Sequence, residues 1–242
     1  MKVLEAIIMK LYMVWVLLVF SIFMIVFLPL IVIPIVLGQR FGHITYFGLW
    51  IWSWVFSRLT FIRYEIIGTE NISKGQSYVY TSNHTSFLDI PGLRLGIPTQ
   101  FRPLAKKELL KIPVFGVIAK VATVVVDRSS NESRKQSINT LKRHIQSGVS
   151  LLIFVEGTQN RTKEPLQPFY DGAFRLAKET LTPIMPTVVI NAGKLMPPSS
   201  IRISPGKIKV VFGSPIAVDS NSDVSQLKQQ TYSQMLQLIH QN

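Results

Sequence analysis

The sequence predicts an α/β fold: a mostly parallel or mixed central sheet flanked by helices, preceded by an N-terminal two-helix membrane anchor. Two observations carry that expectation. One is an uncharged apolar run from Leu11 to Leu37, followed after a short polar break by a second apolar stretch from Ile44 to Ile62. The other is the alternation, from Arg63 onward, of short β-branched and aromatic runs with polar, helix-periodic ones, which is how helices packed on a parallel sheet read in sequence.

The apolar run at the N-terminus is longer than a buried core helix needs and meets the length criterion for a bilayer. As a straight helix it measures roughly 40 Å at ~1.5 Å per residue, against a hydrocarbon core of ~30 Å. Pro29 and Pro34 predict a kink or a re-entrant turn near its end. Trp50, Trp52 and Trp54 in the second stretch suggest the bilayer interface, where amphipathic rings collect. Lys2 and Lys10 resemble the basic start of a secretory signal, but the apolar run is too long and no small-residue cleavage site follows. A soluble fold needs no two such stretches in succession for its first layer. Basic residues flank the pair on both outer sides, so a hairpin places both ends, and the domain that follows, on the cytoplasmic side. The expected division is a membrane anchor over residues 1–62 and an α/β domain over residues 63–242.

Within that domain the predicted strands are Tyr64–Ile67, Tyr78–Ser82, Val124–Val126, Leu151–Phe154, Ile184–Ile190 and Ile208–Phe212, chosen for β-branched and aromatic enrichment between turn residues. Ser133–Gln146, Asp171–Glu179 and Val224–Ile239 read as amphipathic helices. Composition narrows the chemistry. With no cysteine and four scattered histidines, there is no thiol nucleophile, no Cys-based zinc site and no disulfide, and no metal is expected. The charge is strongly one-sided: 26 Lys and Arg against 13 Asp and Glu, a net charge of +13. Such an excess calls for an anionic partner, whether nucleic acid, an anionic bilayer, or a phosphorylated or acidic-carrier substrate.

In parallel sheets ligands gather at the carboxyl ends of strands, and four segments there carry polar chemistry. Asn83-His84-Thr85-Ser86-Phe87-Leu88-Asp89 follows the second predicted strand. Five helical steps leave His84 and Asp89 ~140° apart, so they cannot share a helix face. His84 is therefore expected in the strand-to-helix loop, with Asp89 in the first turn reaching back to it, a base oriented by a carboxylate. The plainer reading makes Ser86-x-x-Asp89 a helix-capping signal. In Phe154-Val155-Glu156-Gly157-Thr158-Gln159-Asn160-Arg161, Glu156 is suited to accept hydrogen bonds from substrate hydroxyls. Gly157 permits close backbone approach, and Arg161 offers a bidentate fork for phosphate. Lys106, in the Phe101–Gly116 stretch with its paired lysines before a short helix, and Arg128, at the end of Val124–Val126, supply further positive charge.

Together these blocks resemble the glycerolipid acyltransferase family, the lysophosphatidic acid acyltransferases. The Asn-His-x4-Asp block, the Ala-Lys-x-Glu-Leu block, the strand ending in Asp127-Arg128, the Phe-x-Glu-Gly-Thr block and Met185–Ile190 occur in the family's order over roughly residues 64–215. That ordered co-occurrence is far more specific than any single block. The resemblance implies that His84 and Asp89 are the catalytic pair, that Glu156, Gly157 and Thr158 bind the acceptor glycerol, and that Lys106 and Arg128 surround its phosphate. It implies acyl transfer from a thioester to the free hydroxyl of 1-acyl-glycerol-3-phosphate, giving phosphatidic acid. His84 would act as general base with no acyl-enzyme and no cofactor; acyl-CoA or acyl-carrier protein would be the co-substrate. Membrane lipid and a lyso-phospholipid acceptor are the implied partners. The chain departs from the commonest family pattern at Val155, where Pro is usual, and at Gln159, where Arg is usual; Arg161 lies two residues further on.

Three alternatives stand beside this reading. Acyl transfer to another lyso-lipid, aminoacyl or phosphodiester, follows from the Gln159 departure. A non-catalytic lipid-binding protein would share the anchor and the apolar surface. A nucleic-acid binder would share the charge, but the basic residues are dispersed, with no recognised motif and no aromatic stacking platform between them, so no nucleic-acid partner is expected.

Overall fold

The computed structural model describes residues 2–38, 41–112, 115–126, 131–198 and 200–242. In chain order the helices are α1 (Lys2–Leu37), α2 (Gly42–Leu59), α3 (Asp89–Gly96), α4 (Phe115–Ala122), α5 (Asn131–Gln146), α6 (Gly172–Thr180), α7 (Ala192–Leu195) and α8 (Val224–Gln241). The strands are β1 (Ile62–Ile67), β2 (Val79–Ser82), β3 (Phe101–Lys106), β4 (Val124–Val126), β5 (Ser150–Phe154), β6 (Ile184–Ile190) and β7 (Gly206–Phe212). Hydrogen bonding orders them β1-β7-β6-β2-β5-β3-β4 in one seven-stranded sheet, so the expected α/β class holds.

The chain forms two compact units: Met1–Ile66 with Thr85–Gly96 and Val189–Val210, and Ile67–His84 with Ile97–Val188 and Val211–Asn242. The expected division at residue 62 is a division along the chain, whereas the compact units follow another line. The apolar hairpin shares its unit with β1, α3 and α7.

In that first unit α1 and α2 lie antiparallel, because the start of one meets the end of the other. The Tyr12 hydroxyl donates to the Thr60 carbonyl at 2.6 Å and the Trp15 indole to that of Leu59 at 2.7 Å. At the opposite end Thr45 Oγ1 donates to the Ile31 carbonyl at 2.8 Å. Gly48 lets the helices close up: a Cβ there would stand 3.1 Å from Leu30. α1 runs through Pro29 and Pro34 as one helix, so the expected re-entrant turn is absent. The helix ends instead at Gly38, with φ of 136°, a setting glycine takes without strain. Residues 4–37 form one helix long and apolar enough to cross a membrane, with 22% of its most apolar window buried. Trp52 corrects one expectation. It is 6% exposed and meets Phe20 edge-on at 5.4 Å and Phe56 in a stack at 5.4 Å, so it packs the hairpin and does not mark an interface.

α3 is fastened to the hairpin through Arg94, which is 8% exposed. Its Nε donates to the Tyr46 carbonyl at 3.2 Å and its guanidinium lies 5.7 Å from the centre of that ring. Burial pulls the guanidinium down to about 10, since a charge taken out of water is disfavoured. The Tyr64 hydroxyl of β1 donates to the Leu88 carbonyl just before α3 at 3.0 Å. Burial, and then the charge of Asp89, push that phenol well above its ordinary value.

The second unit is built on parallel pairings of β2 with β5 and β6, and of β3 with β5 and β4. β2 is buried at all four positions, as expected of a strand covered on both faces. Tyr78, Tyr80, Leu151, Leu152, Ile184 and Met185 are among its fully buried side chains. α6 turns Ala173, Phe174, Leu176 and Ala177 inward, the stripe of an amphipathic helix. β3 is absent from the predicted strands because Pro103 interrupts its ladder donors; Pro103 nonetheless pairs in register with Leu152.

Candidate active site

The register of the sheet sets the site. Ser82, the last residue of β2, pairs with Phe154, the last residue of β5. The residues two places beyond these ends, His84 and Glu156, are thereby brought together although they are far apart in sequence. The Glu156 Oε1 atom accepts the His84 backbone N–H at 3.0 Å. The His84 carbonyl accepts the Asn160 N–H at 2.6 Å. The imidazole lies on the Phe154 ring, 4.0 Å between centroids and 20° between planes. His84 itself is half-buried.

Glu156 is 2% exposed, and its second oxygen accepts the Gln167 N–H at 2.9 Å. The sequence expectation gives Glu156 to substrate hydroxyls; in the structure both carboxylate oxygens accept backbone amides. Gly157 follows with φ of 70°, and a Cβ there would meet the Tyr170 ring at 2.8 Å. Its requirement is thus steric and conformational. Thr158 is exposed. Asn160 is 7% exposed; its Oδ1 accepts the Thr162 N–H at 2.9 Å and the Thr162 hydroxyl at 2.7 Å, and its Nδ2 donates to the Glu164 carbonyl at 2.9 Å. Arg161 is exposed on this loop. Lys106 ends β3, exposed, in register with Val126. Arg128 lies outside the described residues.

In the other unit Asp89 opens α3 and is fully buried. Its Oδ2 accepts the Thr85 N–H at 2.8 Å and the Ser86 N–H at 2.9 Å, and Oδ1 lies 3.4 Å from the Thr85 hydroxyl. The Ser86 hydroxyl accepts the Leu88 N–H at 3.2 Å and donates to the Met196 carbonyl at 2.8 Å. Asp89 reaching back to the Ser86 N–H forms one half of a capping box, while the Ser86 hydroxyl takes the Leu88 N–H in place of that of Asp89, so the plainer reading describes part of the geometry. The arrangement also keeps a carboxylate fixed on the two residues directly after His84.

Three contributors escaped the sequence reading. The sequence places Phe154 at a strand end and in the Phe-x-Glu-Gly-Thr block without a role of its own, places Asn160 in a loop, and gives Tyr170 no role. The Asn160-x-Thr162 spacing is a turn signal in which the Asn side chain bonds the backbone two residues on; the other two become visible only through the register.

Residues 63–190 match the family model described as Acyltransferase. A 1-acyl-sn-glycerol-3-phosphate acyltransferase of Cocos nucifera is 30% identical over 92% of this chain and 68% of its own length. A chloroplastic 1-acyl-sn-glycerol-3-phosphate acyltransferase of Brassica napus is 33% identical over 64% of this chain, but the match spans only 46% of that protein. The crystal structure of the 1-acyl-sn-glycerophosphate acyltransferase PlsC from Thermotoga maritima shares the fold, with a TM-score of 0.82, 18% identity, and coverage of 96% of this chain and 95% of that one. The fold is that of an α/β protein with a parallel-paired sheet at its centre. The chain belongs to the acyltransferase family.

Proposed function

We propose that this chain is a membrane-bound 1-acyl-sn-glycerol-3-phosphate O-acyltransferase, which moves an acyl chain from a thioester donor to the free hydroxyl of its acceptor and yields phosphatidic acid. The observation that carries the reading is the Asn83-His84-x4-Asp89 block at the carboxyl end of β2, in a chain of the acyltransferase family. The acceptor is that named for the relatives, 1-acyl-sn-glycerol-3-phosphate.

In this mechanism the His84 imidazole takes the proton of the acceptor hydroxyl as its oxygen attacks the thioester carbonyl. The tetrahedral intermediate then collapses, the carbon–sulfur bond breaks, and the same imidazole returns the proton to the departing thiolate. Asp89 holds the tautomer and stabilises the imidazolium. No acyl-enzyme forms, because the nucleophile belongs to the substrate. Lys106, Arg128 and Arg161 bind the acceptor phosphate, a cluster suited to a dianion. Gly157 and exposed Thr158 face the glycerol, with Glu156 behind them. The α1–α2 hairpin anchors the enzyme in the bilayer, and its flanking basic residues favour a cytoplasmic catalytic site. The net charge of +13 draws it to anionic lipid and to acidic donors such as acyl-CoA or acyl-carrier protein.

Gln159, in place of the usual Arg, favours a second reading in which the acceptor is another lyso-lipid. A panel of lyso-lipid acceptors, each tried with acyl-CoA and with acyl-carrier protein, separates the two. Highest kcat/KM on 1-acyl-glycerol-3-phosphate supports the first; a phosphodiester or aminoacyl lyso-lipid preferred over it refutes the first and installs the second.

A further inference from the structure

We propose that Glu156, backed by Phe154, is a positioning residue for His84 and not a ligand of the acceptor hydroxyls; this rests on the reading of His84 as the base. Both backbone polar groups of His84 are engaged by one loop: the N–H by Glu156 at 3.0 Å, the carbonyl by Asn160 N–H at 2.6 Å. The imidazole is supported on one face by Phe154 at 4.0 Å. Little beyond side-chain rotation is left to the histidine.

The carboxylate is the keystone of this arrangement. At 2% exposure it meets solvent hardly at all, and it spans from His84 to Gln167, whose N–H it accepts at 2.9 Å. Turning it toward a substrate hydroxyl would leave two backbone donors without this acceptor in a buried setting, which is unfavourable. Gly157, at φ of 70°, then reverses the chain so that Thr158, one residue on, is exposed. The Glu-Gly-Thr block is therefore divided in its work. Its acid faces inward and fixes the base, while its Gly-Thr half faces the acceptor.

A base must sit within a fraction of an ångström of the proton it removes, and a misplacement of ~1 Å lowers rates by about 100-fold. The test measures kcat and acceptor KM on the full-length enzyme in lipid vesicles, with 1-acyl-glycerol-3-phosphate, for Glu156→Gln, Phe154→Leu and His84→Ala. Glu156→Gln turns one acceptor oxygen into a donor group facing an N–H. It should lower kcat by about 10–100-fold, with acceptor KM within about twofold. Phe154→Leu should lower kcat by a few-fold, again without moving KM. The solvent deuterium isotope effect on kcat should rise in both, because proton removal by a displaced imidazole becomes the slow step. A mere loss of folded enzyme leaves that ratio unchanged, so a reduced kcat with an unaltered isotope effect overturns the proposal. So does a tenfold or greater rise in acceptor KM at unchanged kcat, which would make Glu156 a substrate ligand, and so do parental kinetics in both variants. If Glu156→Gln does not fold, Phe154→Leu decides on the same criteria. Retained turnover in His84→Ala sinks the base reading itself. An inactive His84→Ala beside unaffected Glu156 and Phe154 variants sinks only the positioning role.

Discussion

Replacing Asp89 by Asn and by Ala separates the backbone bonds that its carboxylate accepts from the orienting role proposed for it. In the structure Oδ2 takes the amides of Thr85 at 2.8 Å and Ser86 at 2.9 Å. Alanine removes that acceptor; Ser86 is 1% exposed, so its N–H loses its partner in a dry setting, whereas water reaches Thr85 more easily. At about 1–3 kcal/mol for each buried donor left unmade, the total is about 2–4 kcal/mol. For a chain of this size each kcal/mol moves the melting midpoint by about 2–4 °C, so Asp89→Ala should melt several degrees below the parent. Asparagine keeps a carbonyl acceptor and forfeits only the charge assistance, about 1–2 kcal/mol over both bonds. Turnover should rank the variants differently. Asn presents an amide where the imidazole needs an anion, and tautomer loss of this kind costs about 10⁴ in serine proteases, far beyond what its stability loss explains. Thermal unfolding in detergent and initial acyl-transfer rates measure both effects on the same samples. Turnover of Asp89→Asn within tenfold of the parent would reduce the carboxylate to a helix cap, and an Asp89→Ala protein as stable as the parent would refute the hydrogen-bond accounting.

Two further outcomes follow from the loop and from the hairpin. Arg161→Ala should weaken use of 1-acyl-glycerol-3-phosphate by about 1.5–3 kcal/mol in kcat/KM, the worth of a charged hydrogen bond, with Gln159→Ala much milder; equal kinetics for Arg161→Ala and the parent across phosphate-bearing and phosphate-free acceptors would discard the idea that Arg161 substitutes for the missing Arg. Val14, Leu18 and Ile25 are exposed apolar residues of α1, and changing all three to Ser should cut sedimentation with anionic vesicles more than tenfold, since each buried aliphatic side chain is worth about 1.5–3 kcal/mol. Undiminished vesicle binding would place the anchor elsewhere.

What the sequence discloses depends on how local the governing physics is. β2, β5 and β6 announce themselves through short, apolar, β-branched runs, and α8 through its period and its Asp223 cap, which accepts the Gln226 N–H at 3.0 Å. β3 does not, because Pro103 and its flanking charges argue against a strand until neighbouring strands hold it. The placing of His84 in the strand-to-helix loop and of Asp89 in the first turn of α3 is legible from five residues of spacing, and the fold of Asp89 back onto Ser86 is a local matter. Glu156 is expected to meet substrate hydroxyls, whereas in the structure its oxygens accept the backbone N–H groups of His84 and Gln167. Its contact with His84 exists only because Ser82 and Phe154 share a register, a pairing across 72 positions that no local pattern encodes. Trp52 teaches the same lesson in the hairpin, since its surroundings are set by Phe20 on the other helix.

The Arg94–Tyr46 fastening bears on how this enzyme can be handled at the bench. Trimming the hairpin strips the Arg94 guanidinium of the Tyr46 carbonyl and ring that shelter it and opens the face of α3 beneath them to water. The helix so disturbed is the one that opens with Asp89. A fragment without the hairpin would thus carry its defect in the helix that bears Asp89. A fragment that keeps α2 keeps that cover over Arg94.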